Sequence, residues 1–337
     1  MCCPVLLCAS VSKGPLEMYY TVHHVTKFRY SVPITESVMQ VRLQPRSDGF
    51  QRCLDFQLST TPKSQIMSYR DDLGNKVHHF DIPNRHSHLT ITAKAMVEIT
   101  EAPELPAALT PDAWDRLDAM NAHDEYWDLL SPSHFVHPSE LLHDLVRELD
   151  VQRRDDPLTV LRSLNTAIYE HFEYVKQNTR VDSPIDDALR IRRGVCQDFA
   201  HVMIALAREL RIPCRYVSGY LFHQSDKRER SVGGATHAWV EALLPDLGWV
   251  GFDPTNNTIA AEHHIRVAVG RDYADVPPTR GVFRGKADSE LAVTVKVLPA
   301  EAPSIDIELS LEASWVPVLA EEHEHEDGSQ WQQSQQQ

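Results

Sequence analysis

The chain has 337 residues and a net charge of −15, with 42% hydrophobic and 24% charged residues, the balance of a globular protein of two domains or of one large domain with appendages. Without clustered positive charge, nucleic acid is not expected as a partner, and no apolar run approaches the roughly 20 residues of a membrane span. Six cysteines without a Cys-x-x-Cys pair argue against a disulfide scaffold or a zinc module and for a reducing compartment, so a cytoplasmic location is expected.

Residues 1–17 stand apart. Their apolar part, Pro4 to Ala9, is too short for a signal-peptide core and has no basic region before it. The stretch reads as a disordered extension or a start placed too early, with a degenerate secretion or lipoprotein signal as the lesser alternative. From 18 to 102 the pattern is β. Short runs at 21–30, 37–45, 53–60, 66–70, 76–82 and 89–97 alternate or carry branched apolar residues, and Asp72-Leu73-Gly74-Asn75-Lys76 is a turn between two of them. An antiparallel β domain is predicted. His78, His79, His86 and His88 fall on its strands and turns without the spacing and carboxylate support of a zinc site, so they read as surface or core histidines.

Pro103 and Pro106 mark a linker. Helices are predicted over 111–120, 138–149 and 157–172, each introduced by Ser, Thr or Asp with a proline near the first turn. Trp114 and Trp127 are expected to pack. Arg190, Arg192 and Arg193 read as solvated charges at a helix end rather than as a patch for acidic substrates.

Next comes Arg193-Gly194-Val195-Cys196-Gln197-Asp198-Phe199-Ala200-His201. Phe199, Met203, Leu206 and Leu210 recur at helical spacing, so Cys196 is predicted in the first turn of an amphipathic helix. Unpaired N–H groups and the positive end of the helix dipole stabilise a thiolate there, and Gly194 is read as a tight turn presenting the sulfur. A strand over 214–221 makes Cys214 structural. His223 to Ser231 is a charged loop before Gly234-Ala235-Thr236-His237-Ala238-Trp239-Val240-Glu241, which places His237 at the head of a strand. Gly248-Trp249-Val250-Gly251-Phe252-Asp253-Pro254-Thr255-Asn256 is a short strand with Asp253 at its end. A thiol nucleophile needs an imidazole to take its proton and a third group to orient that imidazole, and Cys196, His237 and Asp253 supply the set. Strands are expected around 264–269 and 291–298. The remainder, 301–337, has nine acidic residues and no Lys or Arg and reads as a disordered tail.

The order Cys, His, Asp within GVCQDFAH, THAWVE and WVGFDPTNN resembles the transglutaminase-like core, and more narrowly the short bacterial transglutaminase-like proteins with a β-rich N-terminal domain. The resemblance implies an α+β fold, with a papain-like core at 103–300 whose nucleophile helix packs on an antiparallel sheet, behind a β domain at 18–102. It implies Cys196 as nucleophile, His237 as general base and acid, and Asp253 as orienter. Tyr174 and Gln177 are weak candidates for a second oxyanion donor. The expected activity is thiol-dependent acyl transfer on a protein or peptide carrying amide groups, with an amine as acceptor. Hydrolysis as a cysteine peptidase or amidase is the alternative, and a non-catalytic binding scaffold the second. No metal or other cofactor is assigned.

Overall fold

Alternation of buried and exposed residues builds the N-terminal part. In β1 (Glu17–Ile34) Tyr20, Val22, His24 and Thr26 point inward, and β6 (His86–Thr100) buries every second residue along most of its length. Between them lie β2 (Glu36–Val41), β3 (Gln51–Thr61), β4 (Met67–Arg70) and β5 (Lys76–Ile82), so all six predicted runs are strands. Joined by the late strands β14 (Thr279–Arg284) and β15 (Ser289–Ala300), they form two antiparallel sheets ordered β15-β1-β6-β3 and β14-β2-β5-β4, and Ile34, Phe80, Leu89 and Ile91 belong to a core that both contribute to. This computed structural model describes residues 17–175, 184–223, 229–231 and 233–303. The stretch 1–16, Gln177, most of the charged loop after His223 and the acidic tail beyond 303 lie outside the described residues.

The helical segment follows, with α1 (Ala113–Asn121), α2 (Trp127–Leu130), α3 (Glu140–Glu148) and α4 (Pro157–His171). Ser139 and Asp156 cap α3 and α4 by accepting backbone N–H groups of the first turn, and Pro157 occupies the opening position of α4. Trp114 is partly buried under the Arg153 guanidinium, which lies 4.7 Å from the ring centroid. Trp127, expected to pack, is instead 66% exposed: α2 is a single turn whose one buried residue is Leu129.

Then come β7 (Glu173–Tyr174), α5 (Ile185–Ile191), β8 (Arg193–Gly194) and α6 (Cys196–Glu209). Helix α6 is buried almost all round from Gln197 to Arg208, so the amphipathic expectation is corrected. It packs against α3, α4 and α5 and against the sheet strands β9 (Cys214–Leu221) and β10 (His237–Leu244). The five-stranded sheet is antiparallel throughout, ordered β12-β11-β10-β9-β13, with β11 (Gly248–Asp253), β12 (Thr258–Ala260) and β13 (His264–Gly270). Cys214 is fully buried in β9, as a structural residue should be.

The strand expected at 291–298 within the core at 103–300, and a strand at 279–284 that the sequence reading lacks, belong instead to the N-terminal sheets. β14 (Thr279–Arg284) pairs with β2, and β15 (Ser289–Ala300) pairs with β1 over Tyr19 to Tyr30. Alternation reveals a strand but not the neighbour it pairs with. The β sheets also meet the core sheet directly. Tyr20, Val22 and Val97 pack with Tyr220, Ile265 and Val267. Two side-chain amides fasten the outer edge of β13. Gln51 donates to the Arg266 carbonyl and accepts its N–H at 2.9 and 2.8 Å, and Asn75 does the same for Val269 at 2.8 Å each. An edge that would otherwise present unpaired backbone groups is thereby satisfied.

Candidate active site

Cys196 is the first residue of α6 and is half-buried. The approach to it is fixed by a short parallel bridge in which Tyr174 opposes Gly194. Gly194 is not a turn residue, as the sequence suggested, but a packing one: a Cβ there would lie 2.5 Å from Asp198 Oδ2 and 2.7 Å from Asp198 Cβ. The buried Asp198 carboxylate needs that space, because its Oδ2 accepts the Val195 N–H at 2.8 Å and so pins the residue before the cysteine. First-turn N–H groups of an α-helix lack intrahelical partners, so the thiol sits at a positive helix end.

β10 and β11 bring the other two residues to this helix end. Asp253 accepts from His237 Nε2 at 2.8 Å, and both side chains are almost fully buried. Nε2 being spent on the carboxylate, Nδ1 is the ring atom left for the hydrogen bond that His237 shares with Cys196. The structure therefore brings together Cys196, His237 and Asp253. Burial opposes a charged imidazole at His237, but the Asp253 carboxylate and its hydrogen bond, with Cys196 acting in the same sense, outweigh it and push the pKa up to about 10. For Asp253 burial favours the neutral form, yet attraction and hydrogen bonding from His237 and then His264 hold it well below the usual carboxylate range.

Two participants escaped sequence reasoning. His264, the first residue of β13, bonds through Nε2 to the same Asp253 oxygen at 3.1 Å. Asn256 donates to that oxygen from Nδ2 at 2.8 Å, while Asp253 Oδ1 accepts the N–H groups of Thr255 and Asn256 at 3.1 and 3.3 Å. Trp239, fully buried, stacks on His237 with centroids 6.1 Å apart and meets His264 edge-on at 5.1 Å. Asn256 was visible only as a turn residue, and nothing in the spacing of His264 sets it apart from its neighbour His263. His237, Asp253 and His264 place three ligating atoms within 4.8 Å, a spacing a metal ion could use, but the two imidazole nitrogens here hydrogen-bond to the one carboxylate oxygen. The N-terminal histidines are scattered: His86 bonds Ser37 and the Asn84 carbonyl, His88 bonds Ser87, and His78 lies against Phe56.

Tyr174, half-buried on β7, keeps its hydroxyl protonated, since burial and then the charge of Cys196 push its pKa up to about 12. It remains a hydrogen-bond donor near the thiol. An open cavity of about 590 Å³ is lined by Phe172, Glu173, Tyr174, Arg192, Arg193 and Arg230, among others. Arg190 pairs with Asp187, Arg192 with Glu148 and Arg193 with Glu173; Arg190 and Arg193 are exposed, as solvated charges at a helix end should be, whereas Arg192 is half-buried over the Phe172 ring.

A cysteine at a helix N-terminus, facing a His–Asp pair on an antiparallel sheet, defines the α+β transglutaminase-like and papain-like class of core. The profile of the bacterial transglutaminase-like N-terminal region matches residues 20–98, and that of the transglutaminase-like superfamily matches 144–254. An uncharacterized protein of Mycobacterium leprae is 33% identical over 277 residues, 82% of this chain and 97% of its own. One of Mycobacterium tuberculosis is 32% identical over 308 residues, 85% of this chain and 94% of its own. A protein-glutamine gamma-glutamyltransferase of Pseudomonas aeruginosa is 28% identical over 189 residues, 50% of this chain but 26% of its own. A candidate cysteine protease from Cytophaga hutchinsonii shares the fold, with a TM-score of 0.65 and 22% identity over 85% of this chain and 92% of that one. The chain belongs to the transglutaminase-like superfamily, in the bacterial group that carries this N-terminal region.

Proposed function

We propose that this protein is a thiol-dependent acyl transferase acting on carboxamide or peptide groups of a protein or peptide, through Cys196, His237 and Asp253. The observation that carries the reading is the chain of contacts from Cys196 through the two nitrogens of His237 to Asp253. In the first half-reaction the Cys196 thiolate attacks the carbonyl carbon, His237 gives its proton to the leaving amine, the C–N bond breaks and a thioester forms. N–H groups at the start of α6 steady the oxyanion, with the Tyr174 hydroxyl as a second donor. In the second half-reaction neutral His237 takes a proton from the acceptor, which attacks the thioester and releases the thiolate.

The acceptor decides between transamidation and hydrolysis. The relative named a protein-glutamine gamma-glutamyltransferase favours an amine. The half-buried thiol and the open cavity beside Tyr174 favour the second reading, in which water enters and the protein acts as an amidase or cysteine peptidase. The filled triad weighs against a purely binding scaffold. A working free thiol suits a reducing compartment, and the cytoplasm is the proposed location; among the described residues no helix is long and apolar enough to cross a membrane.

Amide substrates incubated with and without a primary amine, and read by product mass, test the reading. An amine adduct supports transamidation and a free acid supports hydrolysis. If neither forms with any substrate while Cys196 remains intact, the enzymatic reading fails.

A further inference from the structure

Asp253 is shared. Its Oδ2 accepts from His237, His264 and Asn256 together, at 2.8, 3.1 and 2.8 Å. The proton on His264 is assigned by its surroundings: Nδ1 accepts the Ala261 N–H at 3.4 Å, and the His264 N–H donates back to the Ala261 carbonyl at 2.9 Å. With Nδ1 an acceptor, Nε2 carries the hydrogen that His264 donates to the carboxylate. Its ring is held edge-on against Trp239, and Gln51 and Asn75 clamp the strand it heads from the β domain. The residue is thus fixed in place from three sides.

Orientation alone does not explain this donor. Asp253 is already pinned by two backbone N–H groups on Oδ1 and by Asn256 on Oδ2, so removing one more bond leaves the rotamer in place. Charge is different. Each donor disperses the negative charge that holds a proton on His237, and a hydrogen bond to a buried carboxylate is among the strong ones. The reaction proposed above needs both forms of His237, charged to protonate the leaving amine and neutral to accept the proton of the acceptor. An unshared Asp253 would hold that proton too firmly for the second step. We propose that His264 is a positioning residue acting through Asp253: by sharing the carboxylate with His237 it lets the imidazole release its proton between the two half-reactions. This rests on the acyl-transfer reading. Among the described residues, the titratable groups bearing on the His237–Asp253 pair are Cys196 from α6 and His264 from β13; Tyr174, Tyr216 and Tyr273 bear in turn on Cys196.

The test compares His264→Leu, which removes the donor, with His264→Gln, whose amide N–H can take its place. p-Nitrophenyl acetate serves as the acylating probe, since its burst reports acylation and its steady state reports deacylation. His264→Leu is expected to keep the burst within about threefold and to slow the steady state about tenfold near neutral pH. The ascending limb of the steady state, where His237 becomes neutral, moves up by about one pH unit. Iodoacetamide labelling of Cys196 needs no acyl transfer, and its alkaline limb, where the imidazolium beside the thiolate loses its proton, moves up as well, because a firmer imidazolium keeps that proton to higher pH. His264→Gln restores both limbs. Upward shifts of both limbs are the signature, since a site that is merely loosened holds the His237 proton less firmly and moves them down. The proposal is overturned if His264→Leu leaves both limbs in place or moves them down. It is also overturned if His264→Gln behaves like His264→Leu at an equal melting temperature. A wild-type protein without a burst instead rejects the acyl-transfer reading, and the labelling limbs then still decide whether His264 acts on the pair.

Discussion

Three free cysteines occur among the described residues, and their surroundings separate them. Burial, and then the charge of Asp55, pushes the Cys53 thiol up to about 11, and burial takes Cys214 up to about 12. Cys196 alone combines a helix N-terminus with an imidazole partner. Limited iodoacetamide treatment at about pH 7 is expected to label Cys196 ahead of both. Peptide mapping reads the order, and labelling of Cys53 or Cys214 first would count against the nucleophile. Asp253 carries two duties, capping the Asp-Pro-Thr-Asn turn through Oδ1 and holding His237 through Oδ2. In Asp253→Asn either orientation of the amide points an NH₂ at N–H donors. Both duties suffer: stability falls by about 1–3 kcal/mol, and acylation slows by about a hundredfold or more through loss of the charge and of the correct tautomer. Cys196→Ala and His237→Ala nearly abolish acylation. Melting temperature and single-turnover acylation on one preparation check the pair of effects, and normal acylation would remove Asp253 from the catalytic set.

At the scale of elements, α6 is a central helix rather than a surface one. Its first residue is placed by three things outside it: the bridge to β7, the Asp198 cap on Val195, and the absence of a side chain at Gly194. Gly194→Ala drives a methyl into the Asp198 carboxylate in a packed interior, where neighbours yield little. The expected cost is about 1–3 kcal/mol, with acylation falling more than occupancy of the fold, because the displaced cap moves Cys196. Denaturant unfolding together with the rate of Cys196 labelling measures both; unchanged values would show that Asp198 can step aside. β13 is the complementary case. As an edge strand it owes its satisfied outer backbone to Gln51 and Asn75, so the N-terminal domain reaches the site through a strand of the core sheet.

Across the whole molecule, buried histidines set how stability depends on pH. Burial lowers His201 to about 3 and His78 to about 4, and burial with the neighbouring charge of His23 takes His24 to about 4. Each stays neutral in the folded chain and charges on unfolding, so its contribution is complete above about pH 6.5 and is lost as pH falls toward those values. His237 runs the other way: raised to about 10, it contributes fully below about pH 6.5 and loses that contribution as pH rises toward 10. Melting temperature is therefore expected to peak near pH 6.5 and to fall on both sides, with His237→Gln flattening the alkaline side. A monotonic rise to pH 9 in the wild type would contradict the assignment of a charged His237.

The sequence by itself determined the strands of the N-terminal domain, the capped helices α3 and α4, and the identities of Cys196, His237 and Asp253. Those features are local: alternation, capping residues and three motifs can be read without knowing what lies across the fold. Other features became legible only in three dimensions, because they belong to pairs distant in sequence. β15 returns to β1, Gly194 makes room for Asp198, and Gln51 and Asn75 hold the edge of β13. His264 shows the difference most plainly. In the sequence it is one of two adjacent histidines; in the fold, the register of β13 against β9 turns it toward Asp253, and a hydrogen bond to one shared oxygen gives it a role.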